Sequence, residues 1–78
     1  MRLGEVMPGQ RVRLVGYIQD APEQLAYRRR LMAMGIIPGT TLTIERIAPL
    51  GDPVEVRLRG YALSLRRDEA AILEVEAI

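Results

Sequence analysis

The side chains of this chain that could do chemistry are carboxylates and methionine thioethers, because its 78 residues include neither cysteine nor histidine. Those two absences remove the preferred ligands of many transition metals and the usual acid or base near neutral pH. A metal ion would have to use carbonyls, carboxylates or the thioethers of Met7, Met32 and Met34. Several carboxylates are instead expected to pair with arginines on neighbouring strands: Glu45, Glu55, Glu74 and Glu76. We therefore predict no catalytic centre, no cofactor and no metal site.

The charge pattern argues against nucleic acid as a partner. The 11 basic residues are all arginines and 10 residues are acidic, so the formal net charge is +1. Such a balance supplies no broad positive field for a phosphate backbone. On a helix, Arg28-Arg29-Arg30 would spread over about 200 degrees, which favours a solvated face and leaves an acidic partner surface as the alternative. Three tyrosines are the only aromatic residues, too few for a stacking platform.

Apolar runs are short throughout the chain. None approaches the roughly 20 residues that a membrane-spanning helix needs, and the first residues lack the apolar centre of a secretion signal. The absence of cysteine gives no sign of an oxidising compartment. The sequence therefore predicts a cytoplasmic protein without direct membrane insertion, folded as one small domain over residues 1–78.

Alternating apolar and polar residues predict five short strands. They cover residues 11–18, 41–47, 54–59, 61–65 and 73–76. Between the first two, Asp20 could cap a helix, with Glu23 completing a capping box, and the helix should run to about Met34. This order predicts a mainly β fold, a small antiparallel barrel of about five strands with one α-helix inserted after the first strand.

Glycine and proline define the turns that separate these elements. Gly35 is expected to close the helix in a left-handed conformation, and Pro38-Gly39 to turn the chain into the second strand. The proline-rich segment 48–53 should form a stiff loop between the second and third strands, with Asp52 accepting nearby backbone N–H groups. Gly60 is expected to allow the sharp bend by which a strand of a small barrel changes direction.

The helix is expected to present a second apolar side. If Leu31 and Met34 face the barrel, Leu25 and Met32 fall on the opposite side at about 100 degrees per residue. Either the N-terminal segment 3–7 covers that side, or it is an exposed docking spot to which the adaptable methionine side chain is suited. The predicted partner contacts are Leu25, Met32 and, at the tip of the proline-rich loop, Leu50.

The turn and core residues also form one extended pattern. Its parts are Leu31, Met34-Gly35-Ile36, Pro38-Gly39, Ala48-Pro49-Leu50-Gly51-Asp52-Pro53, Gly60, Leu63, Leu65-Arg66 and Glu69-Ala70. In this order and at these spacings, the pattern resembles the ferrous iron transport protein A (FeoA) family. The match is densest from Leu31 to Val75 and looser in the opening strand.

This resemblance implies an SH3-like barrel that acts in the cytosol as an accessory to FeoB, the membrane ferrous iron transporter with a cytosolic GTP-binding domain. The expected function is regulatory and non-enzymatic, by docking on that transporter. Related barrels form the C-terminal domain of iron-dependent repressors, so a metal-sensing barrel is the alternative. A protein that serves iron transport in this way need not itself bind iron.

Overall fold

The computed structural model describes residues 1–18 and 22–78. A short 3-10 turn (Leu3–Glu5) precedes the first strand. The elements that follow are β1 (Arg11–Tyr17), α1 (Gln24–Ala33), β2 (Thr41–Ile47), β3 (Val54–Leu58), β4 (Tyr61–Leu65), α2 (Arg67–Ala70) and β5 (Leu73–Ala77). The strands form one antiparallel sheet in the order β4-β3-β2-β1-β5. The predicted mainly β fold, with a helix after the first strand, is confirmed.

The core follows from the alternation of the strands. Apolar residues at every second position face inward and are buried: Val12, Leu14, Leu42, Ile44, Val54, Val56, Leu58, Leu65, Leu73 and Val75. The N-terminal turn and the two helices close this interior with Leu3, Leu31 and Ala70, and Ile72, just before β5, is buried with them. Two ladders carry a register shift, one between Leu14 and Gly16 and one between Ile44 and Arg46. Such bulges increase twist and bend the sheet around its core.

The C-terminal end of α1 is closed as the sequence predicts. Gly35 has a φ of +93° and its N–H donates to the Met32 carbonyl at 3.0 Å, while the Ile36 N–H donates to the Leu31 carbonyl at 3.0 Å. These two bonds form a Schellman motif, in which an apolar contact usually joins the residues at its two ends. Leu31 and Ile36 are both fully buried. The motif therefore fixes the helix against the barrel.

Replacing Gly35 by alanine should lower the free energy of unfolding by about 1 to 2 kcal/mol, because a left-handed residue with a Cβ is strained. That Cβ would also lie 3.4 Å from Nη1 of Arg59 and 3.5 Å from Oη of Tyr61. Gly16→Ala is the matched control, since nothing lies within 4 Å of its Cβ position. Urea denaturation of both variants measures the difference, and equal stabilities would contradict the account.

The start of α1 differs from the prediction. The helix begins at Gln24, and Glu23 occupies the capping position without a side-chain capping bond. Glu23 is thus the residue before the helix and not the third residue of a capping box. The predicted cap, Asp20, lies outside the described residues.

Among the described residues, none of the helices has the length and apolar character that a membrane span requires.

Candidate docking surface

A buried carboxylate on the short helix α2 connects this helix to α1, which carries two of the predicted contacts. Glu69 has no exposed side-chain surface, and its Oε1 accepts the Arg66 N–H at 2.9 Å. Its Oε2 lies 2.8 Å from Nη1 of Arg30 on α1. This second contact is an ion pair without the alignment of a hydrogen bond, so Oε2 accepts no hydrogen bond from residues 1–18 or 22–78. The Arg30–Glu69 pair therefore joins α1 to α2 mainly by charge.

Of the two predicted contacts on α1, Met32 is the more accessible. Its exposed fraction is 39%, whereas Leu31 beside it is fully buried. Leu25 is half-buried. In the N-terminal segment that could have covered this side, Leu3 is buried in the core and Met7 is 69% exposed. The structure thus leaves Met32 at the surface and gives Leu25 a smaller exposed area.

Leu50 occupies the tip of the loop between β2 and β3 and is 88% exposed. The loop that carries it is held by backbone bonds, since the Ala48 N–H donates to the Pro53 carbonyl and the Gly51 N–H to the Ala48 carbonyl. Asp52 accepts a backbone N–H, as predicted, but the donor is Arg67 of α2 at 3.1 Å. Leu50 and Met32 therefore sit on separate elements that both adjoin α2.

Two exposed apolar residues near the end of α1 were not predicted as contacts. The Tyr61 hydroxyl donates to the Met34 carbonyl at 2.6 Å, which brings the start of β4 against the end of the helix. Ile37, two residues beyond Gly35, is also exposed. We call Met32, Ile37 and Tyr61 the helix-end patch. Strand alternation does not reveal this patch, because it depends on the contact between β4 and the end of the helix at Gly35.

The carboxylates on the strands pair as predicted in most cases. Three of them pair with cross-strand arginines, as Arg57–Glu45, Arg46–Glu55 and Arg13–Glu76. Glu74 differs from the prediction, because its ion pair is with the chain's amino group at 3.7 Å. Arg29 and Arg59 enter no ion pair in the described part of the chain. The arginine run is therefore not one surface, because Arg30 pairs with Glu69 and the Arg28 guanidinium lies 5.9 Å from the centre of the Tyr17 ring.

The Tyr17 hydroxyl joins β1 to the segment after α1. It donates to the Ile36 carbonyl at 2.6 Å, and burial raises its pKa from 10.0 to about 12, against the opposing effect of the Arg28 charge. A raised pKa favours the neutral folded form. The contribution of the Tyr17 hydroxyl to the free energy of unfolding is therefore complete below pH 10 and is lost as the pH rises through 12.

Alkaline unfolding should therefore depend on Tyr17. With no lysine, cysteine or histidine present, tyrosines are the only side chains whose ordinary pKa falls between pH 10 and 12. We expect the wild-type free energy of unfolding to fall over this interval, and the Tyr17→Phe variant to lose less. Urea denaturation at several pH values measures both slopes. A variant with the wild-type slope would contradict the assignment.

One surface cavity lies between the start of α1 and α2. It has a volume of about 210 Å³ and is lined by Glu23, Gln24, Tyr27, Asp68 and Ala71. The two carboxylates alone are fewer than a metal site requires. Among residues 1–18 and 22–78, no group of three or more histidine, cysteine or acidic side chains could hold a metal ion.

Comparison with known protein families gives a match over nearly the whole chain. The model of the FeoA domain family matches residues 1–77. The Fe(2+) transport protein A/Fe(2+) transporter FeoB fusion protein of Porphyromonas gingivalis is 40% identical over 78 residues. That alignment covers 100% of this chain and 9% of the relative, so the chain spans a small part of the fusion protein's length.

Solved structures agree with this match. An NMR structure of a FeoA-like protein from Clostridium acetobutylicum is 42% identical, with a TM-score of 0.87, over 100% of this chain and 86% of that one. The zinc-complexed crystal structure of Stenotrophomonas maltophilia FeoA, described as a prokaryotic SH3 domain protein, is 27% identical. Its TM-score is 0.75 over 97% of this chain and 89% of that one. The chain belongs to the FeoA domain family, and its barrel is SH3-like.

Proposed function

We propose that this member of the FeoA family is a non-enzymatic accessory protein of ferrous iron uptake that docks on the cytosolic side of a FeoB-type transporter. The observation that carries the proposal is the Porphyromonas gingivalis relative, in which an FeoA-like segment and the FeoB transporter are one polypeptide. A covalent link keeps two domains at a high effective concentration. Separate chains of the same kinds need a docking surface to achieve the same association.

The proposed contacts are Leu25, Met32 and Leu50, each as an apolar side chain. Met32 and Leu50 are exposed, and apolar side chains at a surface can be buried by a partner without disturbing the core. Ile37 and Tyr61 of the helix-end patch are further exposed apolar side chains near the end of α1. The cytosolic location follows from the proposed partner, whose GTP-binding domain faces that side.

A binding experiment with membranes tests the docking. The purified chain, carrying an affinity tag, is incubated with membranes that contain a FeoB-type transporter, and in parallel with membranes that lack it. Each reaction is run without nucleotide, with GDP and with a non-hydrolysable GTP analogue. Retention only on transporter-containing membranes is expected. Equal retention on both membranes, or on neither in all nucleotide states, would overturn the proposal.

The zinc-bound relative raises metal sensing as a second candidate function. The chain offers few ligands for it, having no cysteine or histidine. Anaerobic titration with ferrous iron should therefore show no saturable site tighter than roughly tens of micromolar, given the ligand preferences of such ions. Isothermal calorimetry measures this directly. A tight, stoichiometric site would favour the sensing function over the accessory one.

A further inference from the structure

The two edge strands of the sheet differ in whether other residues cover their outer edges. β4 and β5 stand at opposite ends of the strand order, and no ladder joins them in the described part of the chain. The outer edge of β5 is covered by the N-terminus. Val75 donates its N–H to the Met1 carbonyl at 2.7 Å and accepts from the Met1 amino group at 3.0 Å, and Arg2 bridges Glu74. The open edge of the barrel is therefore β4.

The outward backbone groups of β4 can be identified from the turn before it. Arg59 and Gly60 have φ values of +48° and +82°, as in the two-residue turns that join antiparallel strands. In such a hairpin the residues flanking the turn bond to each other, and the direction of bonding alternates along the strand. Ala62 and Ser64 therefore direct their N–H and C=O groups away from β3. Neither forms another backbone hydrogen bond within the described residues.

β4 lacks the devices that usually protect an open edge. Exposed edge strands are commonly blocked by charged side chains, proline or a bulge. Residues Tyr61–Leu65 include no charge and no proline, and their ladder with β3 is regular. The ladders β1–β5 and β2–β3, by contrast, are both bulged. The side chains of Ala62 and Ser64 are exposed, so an added strand would meet no bulky group.

Arginines flank this uncharged edge at both ends. Arg59 precedes the strand and Arg66 and Arg67 follow it, and none of the three enters an ion pair in the described part of the chain. A second copy of the chain pairing antiparallel about Leu63 would bring the Arg59 end of one β4 strand towards the end of the other that is followed by Arg66 and Arg67. Like charges brought together across a strand pair destabilise it. The flanks therefore disfavour self-pairing and suit a segment with acidic ends.

We propose that the outer edge of β4 binds an extended segment of a partner protein by strand addition, and that this segment carries acidic residues at both ends. Main-chain hydrogen bonds to Ala62 and Ser64 supply the attachment, and the flanking arginines select the charge. Acidic residues at both ends satisfy the arginines whether the added strand runs parallel or antiparallel. Any protein with such a segment fits this edge, whether or not it is the transporter.

A peptide titration tests the inference. The probe is a blocked peptide of alternating threonine and valine with two glutamates at each end. One control peptide has lysines in place of the glutamates, and another has all its threonine and valine amides N-methylated, so that neither edge of the peptide can donate a backbone hydrogen bond. Binding of the acidic peptide is followed by amide NMR and hydrogen exchange. At about ten times the dissociation constant, exchange at Ala62 and Ser64 should slow by about tenfold, with β5 unchanged.

Two variants locate the bound strand. Ser64→Pro removes an outward N–H, which an edge strand tolerates, and should weaken binding relative to Ser64→Ala. Arg59→Gln with Arg67→Gln should weaken binding by about three- to tenfold, as for exposed charge pairs. The control, Arg11→Gln with Arg29→Gln, changes the net charge equally and should have no effect. If Ser64→Pro does not fold, the arginine variants decide the test.

Several outcomes would overturn the proposal. Equal binding of the acidic and lysine peptides would show that the flanking arginines do not select charge. Unweakened binding of the N-methylated peptide would show that the peptide does not bind by strand addition. Shifts centred on α1 would place the peptide elsewhere. Protection of Ala62 and Ser64 that appears without peptide, and rises with protein concentration, would show that a second copy of the chain occupies the edge.

Discussion

Replacing Arg30 by methionine should lower the free energy of unfolding by about 2 kcal/mol. Breaking a fully buried ion pair costs about 3 to 5 kcal/mol because the remaining charge is left without a counter-charge. Here Glu69 has no exposed side-chain surface, but the Arg30 side chain is 48% exposed, so water can partly replace the guanidinium. Chemical denaturation measures the loss. Arg29→Met, on the same helix and without an ion pair to another described residue, should change stability by no more than about 0.5 kcal/mol.

The same pair allows a second step that separates charge from packing. Adding Glu69→Gln to Arg30→Met removes the uncompensated charge and keeps an oxygen that can accept the Arg66 N–H. In the unchanged protein this N–H donates to Oε1 of Glu69 at 2.9 Å. The double variant should therefore be more stable than Arg30→Met alone, by at least half of the original loss. A double variant that is less stable than the single one would show that the pair acts through packing and not through charge.

Most of the fold could be predicted from sequence because the strands alternate cleanly. Val54, Val56 and Leu58 share one face, and the residues between them are charged, so each inward position could be identified without a structure. Gly35 was equally readable because a helix followed by glycine and an apolar residue is typical of the closure observed. These features depend on residues close together in sequence.

The contacts that could not be predicted join residues far apart in sequence. The sequence around Glu69 gives no sign that its carboxylate is buried, because only the packing of α2 against α1 buries it opposite Arg30. Tyr61 likewise reaches the Met34 carbonyl only because the β3–β4 hairpin folds over the helix end. Gly60 was expected to bend a strand, whereas with Arg59 it forms the two-residue turn between β3 and β4. Alternation cannot indicate which turn will meet which helix.

The barrel also proved less closed than its strand count suggested. A fully closed barrel has no sheet edges, but β4 and β5 remain at the two ends of the strand order. The N-terminal residues cover one edge, which no local pattern in Met1 and Arg2 indicates. Closure depends on strand tilt and on the stagger of the register, and the register shifts at Leu14/Gly16 and Ile44/Arg46 are not visible as such in the sequence.

Met32→Glu should weaken docking while leaving the stability of the domain nearly unchanged. Because this residue is 39% exposed, Met32→Glu should change the free energy of unfolding by no more than about 0.5 kcal/mol. The same change would place a charge in an apolar contact, which should weaken binding to transporter-containing membranes by roughly 2 kcal/mol or more. That corresponds to about a 30-fold loss of affinity. Thermal denaturation and the membrane-binding experiment measure the two effects on the same preparation.

The control for Met32→Glu is Ala26→Glu, which adds the same charge at another exposed position of α1, about 120 degrees around the helix axis. It should bind as the wild type does. If Met32→Glu unfolds the domain, Met32 supports the core and cannot serve as a contact. If the variant folds and binds normally, the helix is not the docking face, and Leu50→Glu then tests the loop tip. Weakening by Leu50→Glu alone would move the docking surface to the β2–β3 loop, which Asp52 anchors to α2.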